Sequence, residues 1–489
     1  MSKMPLYVSL IGRLRRDRQF QWVESELDGP AKQRIYPILV LRFWCHAYAS
    51  FPVILLIFDD IYGNRPALAL TIFSLSGISN AMCGPIAGLY ADRKGCTRAI
   101  RLGMILTVAL ATLFALLLIL GDTRSTNIQF FVAVFQFLLG IPLSIIDGAD
   151  TELLMKWSRV LNKNWSDEKR TKLEGIGTKL KYSGVAVAST FGCLLYMSLP
   201  SSEQWRPFFA ALVFFLTAVL QLIGLKHLKP VEEPPPESIE TEQKRSSHSN
   251  AGNVTTPANT RKTENPQARG TLGILRSSAR RIIEDAVLLF WMAIIALTEG
   301  FLLLCTYFFL LLALNNLRSG SAGSSVLLLI IPLIYFVAAI LAANGGTSFQ
   351  RLHTRARGDG AAKTKSVADI SNVFMKAAIS ILLFAAITVL FLRPLELLVA
   401  NHDSGFTAYA IGVVALALHA IYLFTRGFAN PLLRATWSNL VNRRRMAKPD
   451  TATSLAPTTA LSLALASSRV VWSAGSLGAL LLRIGGSRS

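Results

Sequence analysis

Long apolar runs recur along almost the whole chain, and they constrain its fold more than any other feature. About eleven of these runs have the roughly 20 residues that a helix needs to cross a hydrocarbon core about 30 Å thick. Charged residues make up only 16% of the 489 residues, whereas a soluble domain carries about 25%. The sequence therefore predicts an all-α integral membrane protein. The predicted spans are 35–58, 67–91, 99–120, 128–149, 175–199, 207–226, 286–312, 325–343, 373–392, 406–425 and 456–482.

Basic residues give the chain a formal net charge of +21. On a soluble protein such an excess favours nucleic-acid binding. Here nearly all of the 50 Lys and Arg residues fall in the segments on one side of the predicted spans, and the connections on the other side hold about one each. Because basic connections stay in the cytoplasm, the asymmetry predicts a cytoplasmic N-terminus in a multi-pass protein. We expect a lipid bilayer as the environment, the plasma membrane (inner membrane in a bacterium) as the location, and no nucleic-acid partner.

The predicted spans fall into two sets. Residues 1–34 form a basic cytoplasmic segment, and residues 35–228 hold six spans. Residues 229–284 are polar and rich in Pro, Ser and Thr, so they predict a disordered cytoplasmic linker. Residues 285–489 hold about five spans, and the sequence leaves open whether a twelfth helix is absent or the C-terminus lies outside. Six helices, a long inside linker and a second helical set are typical of two-bundle transporters.

The sequence gives little support to the hypothesis that the protein is an enzyme. The five cysteines show no metal-ligand spacing, and no outside loop holds two, so we expect no metal, disulfide or cofactor. Asp147 and Asp150 invite comparison with membrane prenyltransferases, which hold diphosphate through magnesium. Such enzymes need a second acidic cluster, but the other predicted inside connections are basic. Motifs for nucleotide binding and for hydrolysis are also missing, so the sequence predicts no enzyme.

The most informative local sequence connects spans two and three. Residues 88–98 read GLYADRKGCTR, in which glycines bracket a tight turn and an acidic residue precedes several cations. It resembles the loop signature of the major facilitator superfamily. That signature begins with a Gly, which is followed after three further residues by an Asp. A basic residue, another Gly and more basic residues come next. Gly88, Asp92, Arg93 and Gly95 match, whereas a Cys-Thr pair stands where two basic residues are usual.

The resemblance implies two helical bundles around a central cavity. It further implies a secondary transporter that moves a small solute by alternating access. Asp92 and Arg93 would belong to a cytoplasmic gate, whose acidic partners at the end of span four would be Asp147 and Asp150. Gly88 and Gly95 would shape the turn.

Ionisable residues inside the predicted spans are candidates for substrate binding or proton coupling, because a charge in hydrocarbon costs about 2.5–3.5 kcal/mol on insertion scales. Glu299 lies well inside span seven, and a structural Glu paired with an Arg or a backbone group is its alternative. Arg469 is a candidate near the middle of the last span, where it needs an acidic or carbonyl partner, and Glu299 is one possibility. Arg42 and His46 share one face of span one; a snorkelling Arg and a hydrogen-bonded core His are their alternatives. His419 and Gln136 are further cavity-lining candidates that could equally be structural.

Two functional classes remain. The first is a secondary transporter of a small molecule, with protons as the preferred coupling ion because Glu299 and His46 are available. The second is a non-transporting relative that acts as a membrane scaffold or sensor through its linker. The sequence does not determine the substrate, the direction of transport, the coupling ion or the oligomeric state.

Overall fold

The computed structural model describes residues 18–51, 53–62, 65–121, 125–161, 165, 167–197, 206–233, 271–318, 330–343, 405–447 and 456–486. Every regular element in these ranges is a helix. We number the helices α1 to α13 in chain order. The first half of the molecule comprises α1 Arg18–Glu26, α2 Gly29–Cys45, α3 Ile54–Ile61, α4 Pro66–Lys94, α5 Cys96–Leu120, α6 Thr126–Leu161, α7 Asp167–Met197 and α8 Arg206–Leu228. The second half comprises α9 Thr271–Glu284, α10 Ala286–Arg318, α11 Ile330–Ala343, α12 Gly405–Ala447 and α13 Pro457–Gly486.

Six of the described helices are long and apolar enough to cross a membrane, namely α4, α5, α6, α8, α10 and α12. Two further long helices, α7 and α13, are more polar and carry Lys181 and Arg469. Large apolar side chains such as Leu113, Phe130 and Leu120 are exposed on the outside of the bundle. Polar and charged side chains, by contrast, are buried inside it. This inverted arrangement is what a hydrocarbon surrounding requires, and the protein is a multi-pass membrane protein.

The two ends of the bundle differ in charge. We call the end that holds Lys94, Gly95, Leu161, Leu228 and Ala447 the basic end; it corresponds to the side predicted as cytoplasmic. At this end Gly95 adopts a φ of 99°, which favours glycine and lets α4 turn directly into α5. The opposite end holds the connection between α3 and α4 and the connection between α5 and α6.

Several boundaries differ from the sequence prediction. Helix α6 continues to Leu161 and α12 continues to Ala447, beyond the predicted span ends at 149 and 425. The predicted first span is interrupted between α2 and α3. Helix α9 occupies the last part of the predicted linker 229–284, whose residues 234–270 lie outside the described ones. The predicted span 373–392 and residues 1–17 of the N-terminal segment also lie outside them.

Apolar packing holds the two halves together towards the opposite end. One core cluster there includes Ile54 and Phe73 from the first half and Leu303, Tyr307 and Ile334 from the second. Nearer the basic end, by contrast, separate clusters lie within each half. The contacts that join the halves at that end are mainly polar.

Candidate functional site

The interruption of the first span exposes backbone groups in the middle of the bundle. The Ser50 amide donates to the hydroxyl of Thr217 (3.1 Å), and the Gln221 side chain donates to the Trp44 carbonyl (3.1 Å). Unpaired backbone groups in hydrocarbon cost several kcal/mol each. Two polar side chains of α8 therefore make the break tolerable, and they hold this non-helical segment against the centre of the molecule.

Helix α7 packs closely against the same segment through small residues. A Cβ atom at Gly184 would collide with the Phe43 carbonyl oxygen, and one at Gly192 would collide with that of Ala49. Only glycine allows such a backbone approach. The close packing brings Lys181, one turn before Gly184, to the centre of the bundle.

A cavity of 160 Å³ lies between the two halves. The broken first span and helices α4, α6, α7, α10, α11, α12 and α13 all contribute to its walls. Its polar lining residues include His46, Tyr48, Ser50, Ser76, Asn80, Gln136, Asp147, Lys181, Tyr182, Tyr307, Tyr335, Arg426 and Arg469, and its apolar ones include Phe51, Ile54, Phe73, Leu139, Val185 and Trp472.

Asp147 is the centre of a network of charges beside this cavity. Arg434 donates to both of its carboxylate oxygens (3.1 and 3.2 Å), and Arg469 donates to one of them (3.3 Å). Lys181 also donates to Asp147. One carboxylate of the first half therefore holds two guanidinium groups of the second half as well as the ammonium group of its own half.

Glu299 extends this network within the second half. Its carboxylate accepts a hydrogen bond from Arg434 (3.2 Å) and lies 3.6 Å from Arg426. Asp147 and Glu299 thus share the guanidinium of Arg434. Counted along their helices, Asp147, Lys181, Glu299, Arg434 and Arg469 each lie about 12 to 14 residues, or roughly 20 Å, from the helix end at the basic side. The network therefore forms one layer across the bundle.

A second buried cluster adjoins the cavity in the first half. Arg42 forms a two-pronged pair with Glu174 (2.6 and 2.8 Å) and also donates to Asp150 (3.2 Å) and Thr151 (3.2 Å). The Nε2 atom of His46 lies 3.1 Å from the same Asp150 oxygen that Arg42 reaches. His46 itself lines the cavity, so the imidazole connects the cavity with the cluster.

Asp92 joins the two halves at the basic end. Its carboxylate accepts hydrogen bonds from the amides of Thr458 (3.1 Å) and Thr459 (2.8 Å) at the start of α13, and from the Thr459 hydroxyl (2.8 Å). A carboxylate is favoured there, because the first amides of a helix lack partners and carry partial positive charge. Lys156 lies 3.8 Å from Asp92 on its other side. Gly88 makes the contact possible, since a Cβ atom there would lie 2.8 Å from the Thr458 carbonyl oxygen.

A further polar contact crosses between the halves near the basic end. Ser438 of α12 donates to Glu152 of α6 (2.9 Å) and accepts a hydrogen bond from Arg159 (3.2 Å). Arg159 in turn pairs with Glu152.

On the other side of the cavity the halves meet through aromatic rings instead. Phe51 and Phe73 of the first half pack against Tyr307, Tyr335 and Trp472 of the second, with ring centroids 4.7 to 5.7 Å apart.

Most of the residues selected from the sequence lie around the cavity. Glu299 and Arg469 both join the network, although Arg469 donates to Asp147 and not to the suggested partner Glu299. Gln136 lines the cavity and donates to the Phe73 carbonyl (2.9 Å) and to Ser76 (3.0 Å). His419 packs within the second half, where its Nδ1 atom lies 2.8 Å from the Thr306 carbonyl oxygen.

The residues expected to form one gate occupy two places. Gly88, Asp92 and Gly95 lie at the basic end, where Arg93 is exposed. Asp147 and Asp150 lie in the middle of the bundle, because α6 continues about 14 residues past Asp147. The partners of Asp92 are Thr458, Thr459 and Lys156.

Sequence reasoning missed four charged residues of the site. Lys181 lies inside the predicted span 175–199 but is not among the selected residues, and Glu174 falls in the basic connection just before that span. Arg426 and Arg434 follow the predicted end of span ten at residue 425. A periodic signal was present. Residues 426, 430, 434 and 438 of α12 are all polar at a spacing of four, which puts them on one helix face. In the structure this stripe faces the first half: Asn430 donates to Tyr182 (3.4 Å), Arg434 to Asp147 and Ser438 to Glu152.

Two sets of membrane helices around a polar, charged cavity define a class of protein, the transporters. The family comparison names the group within that class. The model described as "Major Facilitator Superfamily" matches residues 43–475, and the chain belongs to that superfamily. No curated protein matches the sequence.

Three solved structures are similar to this chain, and the first of them agrees with the fold. A D-xylose–proton symporter covers 91% of this chain over 87% of its own length, with 11% identity and a TM-score of 0.51. A fucose–proton symporter of E. coli covers 90% of this chain over 97% of its own, with 13% identity and a TM-score of 0.45. A bacterial homologue of the iron transporter ferroportin covers 94% over 99%, with 15% identity and a TM-score of 0.41. At these identities the likeness concerns the fold alone.

Proposed function

We propose that this transporter is a secondary active carrier that moves a small solute by alternating access, and that it is not an enzyme. The observation that carries the proposal is the position of the cavity, which lies between the halves and has contacts between the halves on both sides of it. Rocking of one half against the other would open these two sides in turn.

The contacts at the basic end are of a kind that can be exchanged with water. Asp92, whose side chain is 11% exposed, binds backbone amides and a hydroxyl at the start of α13, and Ser438 binds Glu152 through its hydroxyl. Hydrogen bonds of this type contribute only about 0.5–1.5 kcal/mol each, or about 1.5–3 kcal/mol with a charged partner. Such contacts can stabilise a conformation that is closed at the basic end without preventing the conformation that is open there. The positive-inside asymmetry supports a cytoplasmic basic end, and we propose the plasma membrane as the location. This conformation would then be closed towards the cytoplasm.

Proton coupling is the finer part of the proposal, and the geometry favours His46 over Glu299 as the titrating group. His46 lines the cavity and has Asp150 within 3.1 Å, so a proton on the imidazole would create a new ion pair. Glu299 is 1% exposed and already lies against two guanidinium groups. Protonation of Glu299 would leave those groups with less compensating charge.

Alternating access can be tested without knowing the solute, by measuring distances between spin labels. One pair of labels at Lys94 and Arg443 reports on the basic end, and a second pair at Asn127 and Tyr409 reports on the opposite end. We expect each pair to show two distances whose populations change in opposite directions between about pH 5.5 and about pH 8. A single, pH-independent distance at both ends would contradict the proposal and favour the scaffold or sensor.

Two histidine variants separate coupling from general stability. We expect His46→Gln to keep both distances but to lose the change of populations with pH. His419→Gln is the matched control, since that imidazole is also buried but bonds to Thr306 within the second half. If His46→Gln responds to pH as the wild type does, proton coupling through His46 is wrong, and Glu299→Gln becomes the variant to measure.

A further inference from the structure

At and beside the cavity, positively charged side chains outnumber the carboxylates that pair with them. Among the described residues, Lys181, Arg426, Arg434 and Arg469 form ion pairs with two carboxylates, those of Asp147 and Glu299. In the adjoining cluster, Arg42 pairs with both Asp150 and Glu174. The additional carboxylate of that cluster offsets one of the two excess positive charges. Among the described residues of both clusters, one positive charge therefore remains, with His46 counted as neutral. Buried charges are normally paired, because removal from water is expensive.

The uncompensated charge coincides with unused hydrogen-bond donors. Arg426 is 9% exposed, and its one carboxylate contact within the described part of the chain, to Glu299, is 3.6 Å long. The Nε atoms of Arg426 and Arg469 and the indole nitrogen of Trp472 are buried and have no acceptor among the described residues. All three residues line the cavity. Buried donors of this kind cost about 1–3 kcal/mol each when they stay unsatisfied, so the wall is built for a ligand that brings acceptors.

The rest of the wall sets the size and character of that ligand. A cavity of about 150 Å³ holds one benzene molecule, and this one measures 160 Å³. Phe51, Phe73, Tyr307 and Trp472 supply aromatic surface to the wall, and Lys181, Arg426 and Arg469 supply its positive charge. The Arg469 guanidinium lies 5.9 Å from the centre of the Trp472 ring.

From this combination we infer that the cavity binds a small organic monoanion, such as a monocarboxylate with an apolar or aromatic body. Its carboxylate lies among Lys181, Arg426 and Arg469, and its body lies against the aromatic rings. Planar guanidinium groups suit this role, because they bind a carboxylate through two parallel hydrogen bonds. The inference rests on the proposed transport function and names its substrate class.

A metal cation is the competing occupant. His46, Asp147 and Asp150 place one ligand atom each within 4.8 Å of one another. Asp147, however, already accepts from Arg434, Arg469 and Lys181, and Asp150 accepts from Arg42. A divalent cation would have to displace these groups or lie beside them, and like charges at such distances repel strongly. The site therefore favours an anion.

Three probes of nearly equal shape test the charge of the ligand. We would measure the melting temperature of the purified full-length protein in detergent with millimolar benzoate, benzamide or benzylamine. Benzoate should raise the melting temperature in a saturable way, whereas the uncharged amide and the cationic amine should not. A rise with benzamide equal to that with benzoate, or a rise with benzylamine or with Mn²⁺ alone, would overturn the inference.

Substitutions then locate the site. Arg426→Gln and Arg469→Gln should each weaken benzoate binding by roughly tenfold to hundredfold, the effect of losing one charged hydrogen bond. Arg280→Gln is the control, because the side chain of Arg280 is 77% exposed on α9; it should bind benzoate as the wild type does. If a Gln variant does not fold, the corresponding Lys variant keeps the charge and should bind more weakly than the wild type. Undiminished binding in the Arg426 and Arg469 variants would also overturn the inference.

The spin-label distances separate this inference from the proposed function. Two distances at each end, with no shift for benzoate, phenylacetate or any other small carboxylate, would reject the anion site and leave the alternating-access transporter intact. A saturable benzoate shift with one fixed distance at each end would support the anion site and reject transport.

Discussion

Asp92 and Asp147 both connect the first half of the molecule to α13, yet their surroundings differ. Asp92 lies at the basic end, with an 11% exposed side chain, and it binds two backbone amides and a hydroxyl. Asp147 lies in the middle of the bundle and binds three cationic side chains. The partners of Asp92 in α13 are neutral, and Lys156 of its own half lies 3.8 Å away, whereas all three partners of Asp147 are charged.

The difference bears on how each contact can be broken. When Asp92 separates from α13, water can reach both the carboxylate and the freed amides, so little is lost beyond the net hydrogen bonds. When Asp147 loses its partners, a charge stays buried without compensation, which costs about 3–5 kcal/mol. We therefore expect the basic end to open readily. The central network should open only when another charged group, such as a ligand anion or a proton, restores the balance.

The largest effect is expected from Asp147→Asn. The change leaves Arg434, Arg469 and Lys181 with Glu299 as their remaining carboxylate, and it should destabilise the protein by about 3 kcal/mol. Thermal unfolding in detergent measures it. Asp285→Asn is the control, because Asp285 forms a partly exposed pair with Arg444 and an Asn can keep its hydrogen bond to the start of α10. Equal stability of the two variants would mean that the central network contributes no more than a surface pair.

An intermediate effect is expected at the close approach of α4 to α13. In Gly88→Ala the new Cβ atom would lie 2.6 Å from the Ser462 hydroxyl and 2.8 Å from the Thr458 carbonyl oxygen. We expect this overpacking to disfavour the closed basic end by about 2 kcal/mol, or roughly 30-fold in population. The Lys94–Arg443 label pair should then report mainly the longer distance.

Gly84→Ala provides the comparison on the same helix. A Cβ atom there would meet its nearest neighbour at 3.6 Å, which is ordinary van der Waals contact. The label distances should therefore stay as in the wild type. The same change of distance in both variants would show that helix propensity, and not the close approach at Gly88, determines closure.

The smallest effect is expected from Asp92→Asn, which keeps one acceptor at the start of α13 but loses the charge. Closure of the basic end should weaken by about 1 kcal/mol. Glu233→Gln is a matched control, because Glu233 binds the amides of Cys96 and Thr97 at the start of α5 in the same manner. That contact lies within the first half, so the variant should leave the label distances unchanged. If the two variants behave alike, the Asp92 contact has no specific role in joining the halves.

The local features of the molecule were predictable. Whether a segment spans the membrane follows from the length and polarity of one continuous run of residues. Helices α5 and α8 accordingly lie where the sequence places them. The turn at Gly95 follows from its glycine, and the loop signature correctly indicates the superfamily. Helix ends were less predictable. Arg426 and Arg434 look like the start of a basic connection, because a sequence does not show which polar residues have a partner that allows them to stay inside.

The sequence by itself determined that this protein spans a membrane with two sets of helices, because hydrophobic length and charge asymmetry are properties of contiguous segments. Only the tertiary structure decided which charges meet. Asp147 and Arg434 are 287 residues apart in the chain, and Asp92 and Thr459 are 367 apart. In each pair, a partner that is distant in the chain offsets part of the cost of burial. Their roles therefore become visible only after the helices have packed.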